Sequence, residues 1–245
     1  MHHYGIIGTP LGHSFSARYF AKKFALNQID ADYHLYEVSQ IDRVIQTISQ
    51  NKLNGCNITI PYKELIVDKL DFIDPIAKQI GAVNVVKVEH VETQTILKGY
   101  NTDWIGFQQS IAPLLDARHT KALILGTGGA AKAIAYALKQ MNIPFTYVSR
   151  NPHKGIVYDA LDNKYIQEHK IIINCTPIGM HPNENECPNI PYDCLTAEHL
   201  VYDCTYNPEE TLFLRKAKQK GATIKNGLDM LYIQADEAWK IWNKI

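Results

Sequence analysis

The chain has 245 residues, which is enough for one large domain or for two domains of about 100–150 residues each. Its 25 Lys and Arg residues balance 25 Asp and Glu residues, so no net charge would draw it to nucleic acid or to an anionic membrane. A small-molecule substrate is therefore expected, without a nucleic-acid or membrane partner.

The first residues, from Met1 to Gly12, lack the charged and then apolar order of a signal peptide. No apolar run approaches the roughly 18–20 residues that would span a bilayer. The five cysteines are odd in number and include no C-x-x-C pair, so structural disulfides and a metal site are not expected. We expect a reducing compartment, the cytoplasm.

Short apolar runs alternate with helical patterns, which is typical of βαβ units and a mostly parallel sheet. In the first half we predict strand 4–8, helix 15–27, strand 33–38, helix 40–49, strand 55–60, and an antiparallel pair formed by 82–89 and 94–98. After a helix that begins near residue 103 we predict strand 121–125, helix 130–141, strands 145–149, 171–174 and 200–203, and helices 209–220 and 228–242. The antiparallel pair is expected at the edge of a mixed sheet.

A glycine turn interrupts the second half. The segment L-I-L-G-T-G-G-A-A (123–131) runs from a predicted strand into a predicted helix. Gly126 would permit the tight turn, Gly128 would let the backbone approach a pyrophosphate, and Ala131 would let helix and strand pack closely. The helix N-terminus would offer unpaired N–H groups to phosphates. The pattern favours a dinucleotide site, although a glycine cluster alone also fits a tight turn.

The end of the next predicted strand indicates which dinucleotide binds. An NAD site would carry Asp or Glu about 20 residues after the turn, whereas this chain has Ser149-Arg150-Asn151. A guanidinium can pair with the 2′-phosphate of NADP. NADP is therefore the predicted cofactor, with an ordinary exposed loop arginine as the alternative.

Polar residues cluster where predicted strands of the first half end. The clusters are Gly12–Ser16, Asn57–Lys63, Gly81–Asn84 and Gly99–Asp103. Ligands of open α/β sheets collect at such ends. Ser14 and Ser16 could bind a carboxylate or simply cap a helix. Reduction of a ketone leaves negative charge on oxygen, so Lys63 held by Asp103 could donate the proton. Alone, Lys63 also fits a solvated surface.

Eight segments resemble, in order and over nearly the whole chain, the signature segments of the shikimate dehydrogenase family. They are G-T-P-L-G-H-S-F-S, N-I-T-I-P-Y-K, G-A-V-N, G-Y-N-T-D-W-I-G, G-T-G-G-A-A, N-C-T-P-I-G-M, D-C-T-Y-N-P and G-L-D-M-L-Y-I-Q-A. The resemblance implies reversible, NADPH-dependent reduction of 3-dehydroshikimate to shikimate in aromatic amino-acid (chorismate) biosynthesis, by a monomer or homodimer.

The order of the predicted elements, together with the resemblance, predicts an α/β fold with three parts. These are a mixed α/β substrate-binding and catalytic domain (1–105), a Rossmann-type NADP-binding domain (106–225), and a final helix (226–245) that returns to the first domain.

By matching positions, the resemblance assigns roles to individual residues. Lys63 and Asp103 would be the catalytic pair. The substrate-binding residues would be Ser14, Ser16, Thr59, Asn84, Tyr206 and Gln234. The cofactor-binding residues would be Gly126, Gly128, Gly129, Ala130, Ser149, Arg150, Thr176, Met180 and Gly227. Tyr206 could instead belong to a plain turn, and Gln234 could be a polar residue of the last helix.

The chain departs from the family pattern in one extended segment. Residues 151–170 are short for the usual helix and strand after the arginine, so we expect the cofactor domain to lack one α/β unit. Two other functions remain open: a quinate/shikimate dehydrogenase of relaxed specificity, and a nucleotide-binding regulator without catalysis. The presence of both Lys63 and Asp103 argues against the regulator.

Overall fold

The computed structural model describes residues 1–12, 15–92 and 94–243. The described residues form two compact units, the first from those within 1–102 together with 235–243 and the second from 103–234. The borders between the two units lie at 102/103 and 234/235. The sequence instead predicts domain borders at 105/106 and 225/226. Those proposed borders stay a prediction.

The first unit forms a mixed sheet with helices. Its elements are β1 (His2–Gly8), α1 (Phe15–Leu26), β2 (Ala31–Glu37), α2 (Asp42–Gln50), β3 (Gly55–Ile58), β4 (Phe72–Ile73), α3 (Pro75–Ile80), β5 (Val85–Val91) and β6 (Gln94–Tyr100). The described strands are ordered β2-β1-β3-β5-β6-β4. β1 runs parallel to β2 and β3, whereas β5 is antiparallel to β3 and to β6.

The antiparallel pair β5–β6 exists as predicted, but its expected place at the sheet edge is wrong. β5 also pairs with β3, and β6 also pairs with β4, so the pair lies inside the sheet. β4 has two residues, which is too short to produce an alternating hydrophobic pattern. The sheet therefore ends at a strand that the sequence did not reveal.

One core of the first unit is built from aromatic side chains. The Trp242 ring stacks on Tyr4 with ring centroids 4.8 Å apart, and its Nε1 donates to the Val86 carbonyl oxygen across 3.0 Å. Any side chain at Gly55 would collide with the same indole ring. Phe20 stacks on Tyr33 with centroids 4.6 Å apart. The end of the last helix thus supplies a core residue of the first unit.

The second unit is a parallel sheet with helices. Its elements are α4 (Asp103–Ile111), β7 (Ala122–Leu125), α5 (Gly129–Gln140), β8 (Phe145–Val148), α6 (Asn163–Glu168), β9 (Ile171–Asn174), β10 (Leu200–Asp203), α7 (Leu212–Gln219), β11 (Thr223–Lys225) and the first part of α8 (Leu228–Asn243). The order is β11-β10-β9-β7-β8, and each strand is parallel to its neighbours. The strand order reverses at β7, because β8 lies on one side of it and β9 lies on the other. Open α/β sheets bind ligands at such a switch point, here between β7 and β9.

The segment between β8 and β9 is reduced: it contains no named strand, as its short length predicts, but it keeps one short helix, so only the strand of the expected missing α/β unit is absent from the described residues. Residues 149–170 are all described, and they contain one bridge between Val148 and Ile156, a 3₁₀ turn and the six-residue helix α6. β8 is consequently an edge strand.

Helix α8 is shared by the two units. Its residues up to Gln234 belong to the second unit, where Met230 packs in a core with Phe107 and Tyr202. From Ala235 onward it belongs to the first unit, where Ala238 and Trp242 join the aromatic core. Among residues 1–12, 15–92 and 94–243, no helix has the length and apolar character needed to cross a membrane.

Candidate active site

Four described residues with predicted substrate or catalytic roles lie near the carboxyl ends of strands in the first unit, namely Ser16, Thr59, Lys63 and Asn84. Ser16 is buried in the first turn of α1, and Ser14 lies outside the described residues. Thr59 follows β3 and donates its N–H to the Ile7 carbonyl oxygen across 3.0 Å. Lys63 is half-buried, and its carbonyl oxygen accepts from the N–H of Val83 at 2.7 Å.

Asn84 is fixed by a buried hydrogen-bond network. Its Oδ1 accepts from the Thr102 N–H at 2.7 Å, and its Nδ2 donates to the Thr102 hydroxyl at 3.0 Å. Its carbonyl oxygen accepts from the Ile58 N–H at 2.9 Å and from the Asn57 Nδ2 at 3.3 Å. Because both ends of the side-chain amide have partners, the network sets its orientation.

Tyr33 extends this network to Ser16. Its hydroxyl donates to the Asn57 Oδ1 across 2.7 Å and shares a hydrogen bond with Ser16. Burial raises the pKa of Tyr33 well above its usual value, so the phenol stays neutral and can donate. The chain Ser16–Tyr33–Asn57–Asn84 therefore connects two of the predicted substrate-binding residues within the first unit.

The sequence did not identify Tyr33, Asn57 or Thr102 as site residues. Asn57 and Thr102 lie inside the segments N-I-T-I-P-Y-K and G-Y-N-T-D-W-I-G, so their polarity at a strand end was an available signal. Tyr33 gave no such signal, because a tyrosine in a predicted strand fits an ordinary core position.

In the second unit, the glycine turn joins β7 to α5. Gly126 has φ +104°, in the region that favours glycine, and an added Cβ would lie 3.1 Å from the Thr176 Cγ2. Gly128 is the N-cap of α5, and no described side chain caps the N–H groups of the first turn. Gly129 and Ala130 open that turn. The turn thus has the open backbone and the helix N-terminus that a pyrophosphate requires.

Ser149 and Arg150 follow β8, the strand beside β7. Ser149 is buried, and its hydroxyl accepts from the Asn151 N–H at 3.0 Å, while its own N–H donates to the Ile156 carbonyl oxygen at 2.8 Å. Arg150 is exposed. A fixed serine therefore precedes an arginine that can reach an anion in solvent.

Asn174 and Asp203 organise the ends of β9 and β10. The Asn174 Oδ1 accepts from the N–H and the hydroxyl of Thr176 at 3.0 and 2.7 Å. The Asp203 carboxylate accepts from the Thr205 N–H at 2.9 Å and from the Thr211 hydroxyl at 2.7 Å. Burial raises the pKa of Asp203 to about 6, while these hydrogen bonds act to lower it. Neither residue was singled out from the sequence, although both lie in the quoted segments.

The remaining predicted residues lie at well-defined places in the second unit. Asp103 is buried in the first turn of α4, where the helix dipole favours a carboxylate. Gln234 is buried on α8, and its Nε2 donates to the Leu231 carbonyl oxygen at 2.9 Å. Tyr206 is half-buried and Met180 is exposed. Gly227 is buried, and an added Cβ would collide with the Cys204 carbonyl oxygen, so packing alone requires glycine here.

Taken by unit, the structure places Ser16, Thr59, Lys63 and Asn84 in the first. It places Asp103, Tyr206, Gln234 and all the predicted cofactor residues in the second. The hydrogen bonds described above connect Ser16 with Asn84. The Gly126 backbone lies so close to Thr176 that an added Cβ would be 3.1 Å from its Cγ2, so the glycine turn adjoins the end of β9.

Comparison with known proteins gives the same family as the segments. Residues 6–86 match the family model described as the shikimate dehydrogenase substrate binding domain. The shikimate dehydrogenase (NADP(+)) of Aquifex aeolicus is 35% identical over 254 residues, covering 98% of this chain and 90% of that protein.

Two solved structures have the same fold over the full chain. The crystal structure of the Aquifex aeolicus shikimate dehydrogenase has a TM-score of 0.89 at 33% identity, covering 100% of this chain and 93% of that one. The Thermus thermophilus shikimate 5-dehydrogenase, solved in complex with NADP(H) and shikimate, has a TM-score of 0.87 at 28% identity, covering 100% and 94%. Because a shikimate dehydrogenase that is 35% identical aligns with 98% of this chain, the chain belongs to the shikimate dehydrogenase family.

Proposed function

We propose that this chain catalyses the reversible, NADP-dependent interconversion of 3-dehydroshikimate and shikimate, a step of aromatic amino-acid (chorismate) biosynthesis. The observation that carries the proposal is the turn at Gly126, which leads into an uncapped helix and has Arg150 after the neighbouring strand. The relative from Aquifex aeolicus, named as NADP(+)-dependent, and the Thermus thermophilus complex with NADP(H) and shikimate support the same cofactor and substrate.

The second unit would hold the cofactor. The backbone of Gly126, Gly128, Gly129 and Ala130 would receive the pyrophosphate, because side chains there are absent or small. Ser149 and Arg150 would bind the 2′-phosphate, and Thr176, Met180 and Gly227 would adjoin the nicotinamide. When bound, NADP supplies or accepts the hydride.

The substrate would be held by polar side chains of both sequence halves. Ser14 and Ser16 would bind the carboxylate with help from Tyr206. Thr59, Asn84 and Gln234 would bind the ring hydroxyls. The fixed amide of Asn84 supports this assignment, because a preset donor and acceptor lose little entropy when a hydroxyl binds.

Lys63 and Asp103 would perform the proton chemistry. A carbonyl carbon that receives hydride becomes an alkoxide carbon, and its oxygen needs a proton. Lys63 would donate that proton in the direction of reduction and remove it in the direction of oxidation. Asp103 would serve the same step, by favouring the charged lysine and by accepting from a substrate hydroxyl.

The proposal is tested by mixing purified protein with shikimate and NADP and following the absorbance of reduced nicotinamide. We expect a rate that depends on both compounds and that falls sharply when NAD replaces NADP. Substitution of quinate for shikimate tests the alternative of relaxed specificity, since equal rates would favour it. Nucleotide binding without turnover of either acid would favour the non-catalytic regulator.

We also propose a cytoplasmic location, because all five cysteines are free and none is paired in a disulfide. The oligomeric state, monomer or homodimer, stays a prediction that sedimentation of the purified protein would decide.

A further inference from the structure

Two cysteines lie side by side at the ends of β9 and β10. The Cys204 Sγ donates to the Cys175 Sγ across 3.8 Å. The two strands are parallel with Asp203 opposite Asn174, so the next residues, Cys204 and Cys175, also face each other. The Cys204 N–H donates to the Asn174 carbonyl oxygen at 2.9 Å, which continues the ladder up to this pair. The proposed reaction uses neither thiol.

The geometry permits a covalent bond between these sulfur atoms. Neighbouring strands lie about 4.8 Å apart, which falls within the Cα separation of about 4.4–6.8 Å that disulfides span. The sulfur atoms would have to approach from 3.8 Å to about 2.05 Å. Rotation about the side-chain torsions together with a small backbone shift can provide that movement.

The cysteine pair adjoins residues that we assign to the cofactor and to catalysis. The backbone of Cys175 would be 3.5 Å from a Cβ at Gly126, and Cys175 directly precedes Thr176. The carbonyl oxygen of Cys204 packs directly against Gly227. The charge of Asp103 acts on the Cys204 thiol. A bond between the sulfurs would therefore be made next to Gly126, Thr176 and Gly227, and within the electrostatic reach of Asp103.

We propose that Cys175 and Cys204 form an oxidation site, at which hydrogen peroxide converts the dithiol into a disulfide and reversibly lowers enzyme activity. The effect on activity rests on the proposed function, whereas formation of the bond does not. Both cysteine residues are half-buried, and the Cys204 thiol itself is shielded from solvent, so a small oxidant is the appropriate class of reactant.

The chemistry balances in two steps. The Cys175 sulfur attacks one peroxide oxygen, so that an S–O bond forms, the O–O bond breaks, and the departing oxygen leaves as water. Cys175 is thereby oxidised to a sulfenic acid and the peroxide is reduced. The Cys204 sulfur then attacks the sulfenic sulfur, so that the S–S bond forms, the S–O bond breaks, and a second water leaves with the thiol proton. A dithiol such as dithiothreitol reverses the change by thiol–disulfide exchange.

The order of the two cysteines follows from their hydrogen bond. Cys204 donates to Cys175 and is buried, and both effects raise the pKa of Cys204 well above its usual value. Cys204 thus keeps its proton while Cys175 accepts. Because the thiolate is the nucleophile, the raised pKa of Cys204 disfavours its attack on peroxide, so we assign the first attack to Cys175 and the resolution of the sulfenic acid to Cys204.

The test combines peptide mass analysis with activity. No Lys or Arg occurs between Lys170 and Arg215, so trypsin would leave four cysteines in one peptide. Cleavage after glutamate separates them into peptides 169–184 with Cys175, 187–198 with Cys187 and Cys194, and 199–209 with Cys204. After treatment of the full-length protein with hydrogen peroxide, peptides 169–184 and 199–209 should appear joined, with the loss of two hydrogen atoms.

Activity with shikimate and NADP should fall roughly ten- to a hundredfold on the same time course, since misplacement by about 1 Å can cost that much. It should return after dithiothreitol. The variant Cys204→Ala should form no joined peptide, and Cys187→Ser, the matched control, should behave as the unaltered protein. Joining of any other pair, or modification of Cys187 or Cys194 while peptides 169–184 and 199–209 stay apart, would overturn the proposal. A joined pair in a protein without activity on shikimate would uphold the oxidation site and refute only the proposed function.

Discussion

The Nδ2 of Asn174 donates to the Oδ1 of Asp203 across 3.1 Å and so fastens the end of β9 to the end of β10. Both side chains are fully buried. The same two residues hold Thr176 and Thr205, which begin the loops that follow these strands. A buried carboxylate thus supports two loops to which we assign cofactor and substrate contacts.

Asp203 should make stability depend on pH. Its pKa is about 6 in the folded protein, above its usual 3.8, so the folded state binds the proton more tightly than the unfolded state. The contribution of Asp203 to stability is therefore greatest below about pH 4 and declines until about pH 6, by about 3 kcal/mol at most. Urea unfolding of the protein and of Asp203→Asn across this range should show their stability difference changing with that sign. A difference independent of pH would mean that the hydrogen bonds offset burial completely.

Replacement of Arg150 by alanine should raise the KM for NADP far more than the KM for NAD. The loss of a charged hydrogen bond costs about 1.5–3 kcal/mol, which corresponds to roughly ten- to a hundredfold. Initial rates at varied cofactor concentration measure both constants. Arg43→Ala, which removes an exposed arginine of α2, is the matched control. An equal rise for both cofactors would mean that Arg150 is not the ligand of the 2′-phosphate.

Ser14→Ala and Ser16→Ala should each raise the KM for shikimate, because each removes a hydroxyl that we propose donates to the substrate carboxylate. The expected change is roughly ten- to a hundredfold, with cofactor binding unaltered. Ser49→Ala, at an exposed position of α2, controls for the loss of a helix serine. If neither variant changed the KM for shikimate, these serines would only cap α1.

Lys63→Ala should lower kcat by about 10²–10⁴-fold, the usual effect of losing a positioned acid. Binding of shikimate should suffer less, since the proposed role of the lysine is to act on charge that develops in the transition state. Asp103→Asn should also lower kcat, and the double variant should be little worse than the more damaged single one, because groups that act together are not additive. Lys69→Ala, at an exposed lysine paired with Asp42, is the control. Multiplying losses would indicate separate roles, and a near-normal kcat for Lys63→Ala would refute the assignment.

Tyr33→Phe should destabilise the protein by about 1–3 kcal/mol, because it leaves the buried Asn57 Oδ1 without its donor. Urea unfolding monitored by circular dichroism measures the change. Tyr36→Phe, three residues along the same strand and only half-buried, should cost much less. Equal losses in both variants would show that the hydrogen bond to Asn57 contributes little.

The alternation of strands and helices was predictable wherever an element was long enough to show its period. β9 and β10 begin and end as predicted, because each is a buried apolar run that ends at a polar residue. β4 and β11 were missed because they have only two and three residues. A segment that short cannot display an alternating hydrophobic pattern. The helix predicted from residue 209 begins only at Leu212, where the Thr211 hydroxyl caps the N–H of Leu214.

The candidate site was predictable where glycine or charge stands out in a motif, as at Gly126 and Arg150. Supporting residues such as Tyr33 and Asp203 were not predictable in their roles, because a role that consists of holding another side chain depends on tertiary neighbours. Local patterns do not contain those neighbours.

The position of Trp242 in the aromatic core of the first unit affects the order in which the two units can fold. Tyr4 and Gly55 pack against an indole that is synthesised after the whole of residues 103–234. The second unit uses residues 103–234 only, so its sequence leaves the ribosome before residues 235–243 do. The first unit therefore completes its core only after the sequence of the second unit has been synthesised, and a nascent chain stalled before Trp242 would expose aromatic surface to chaperones.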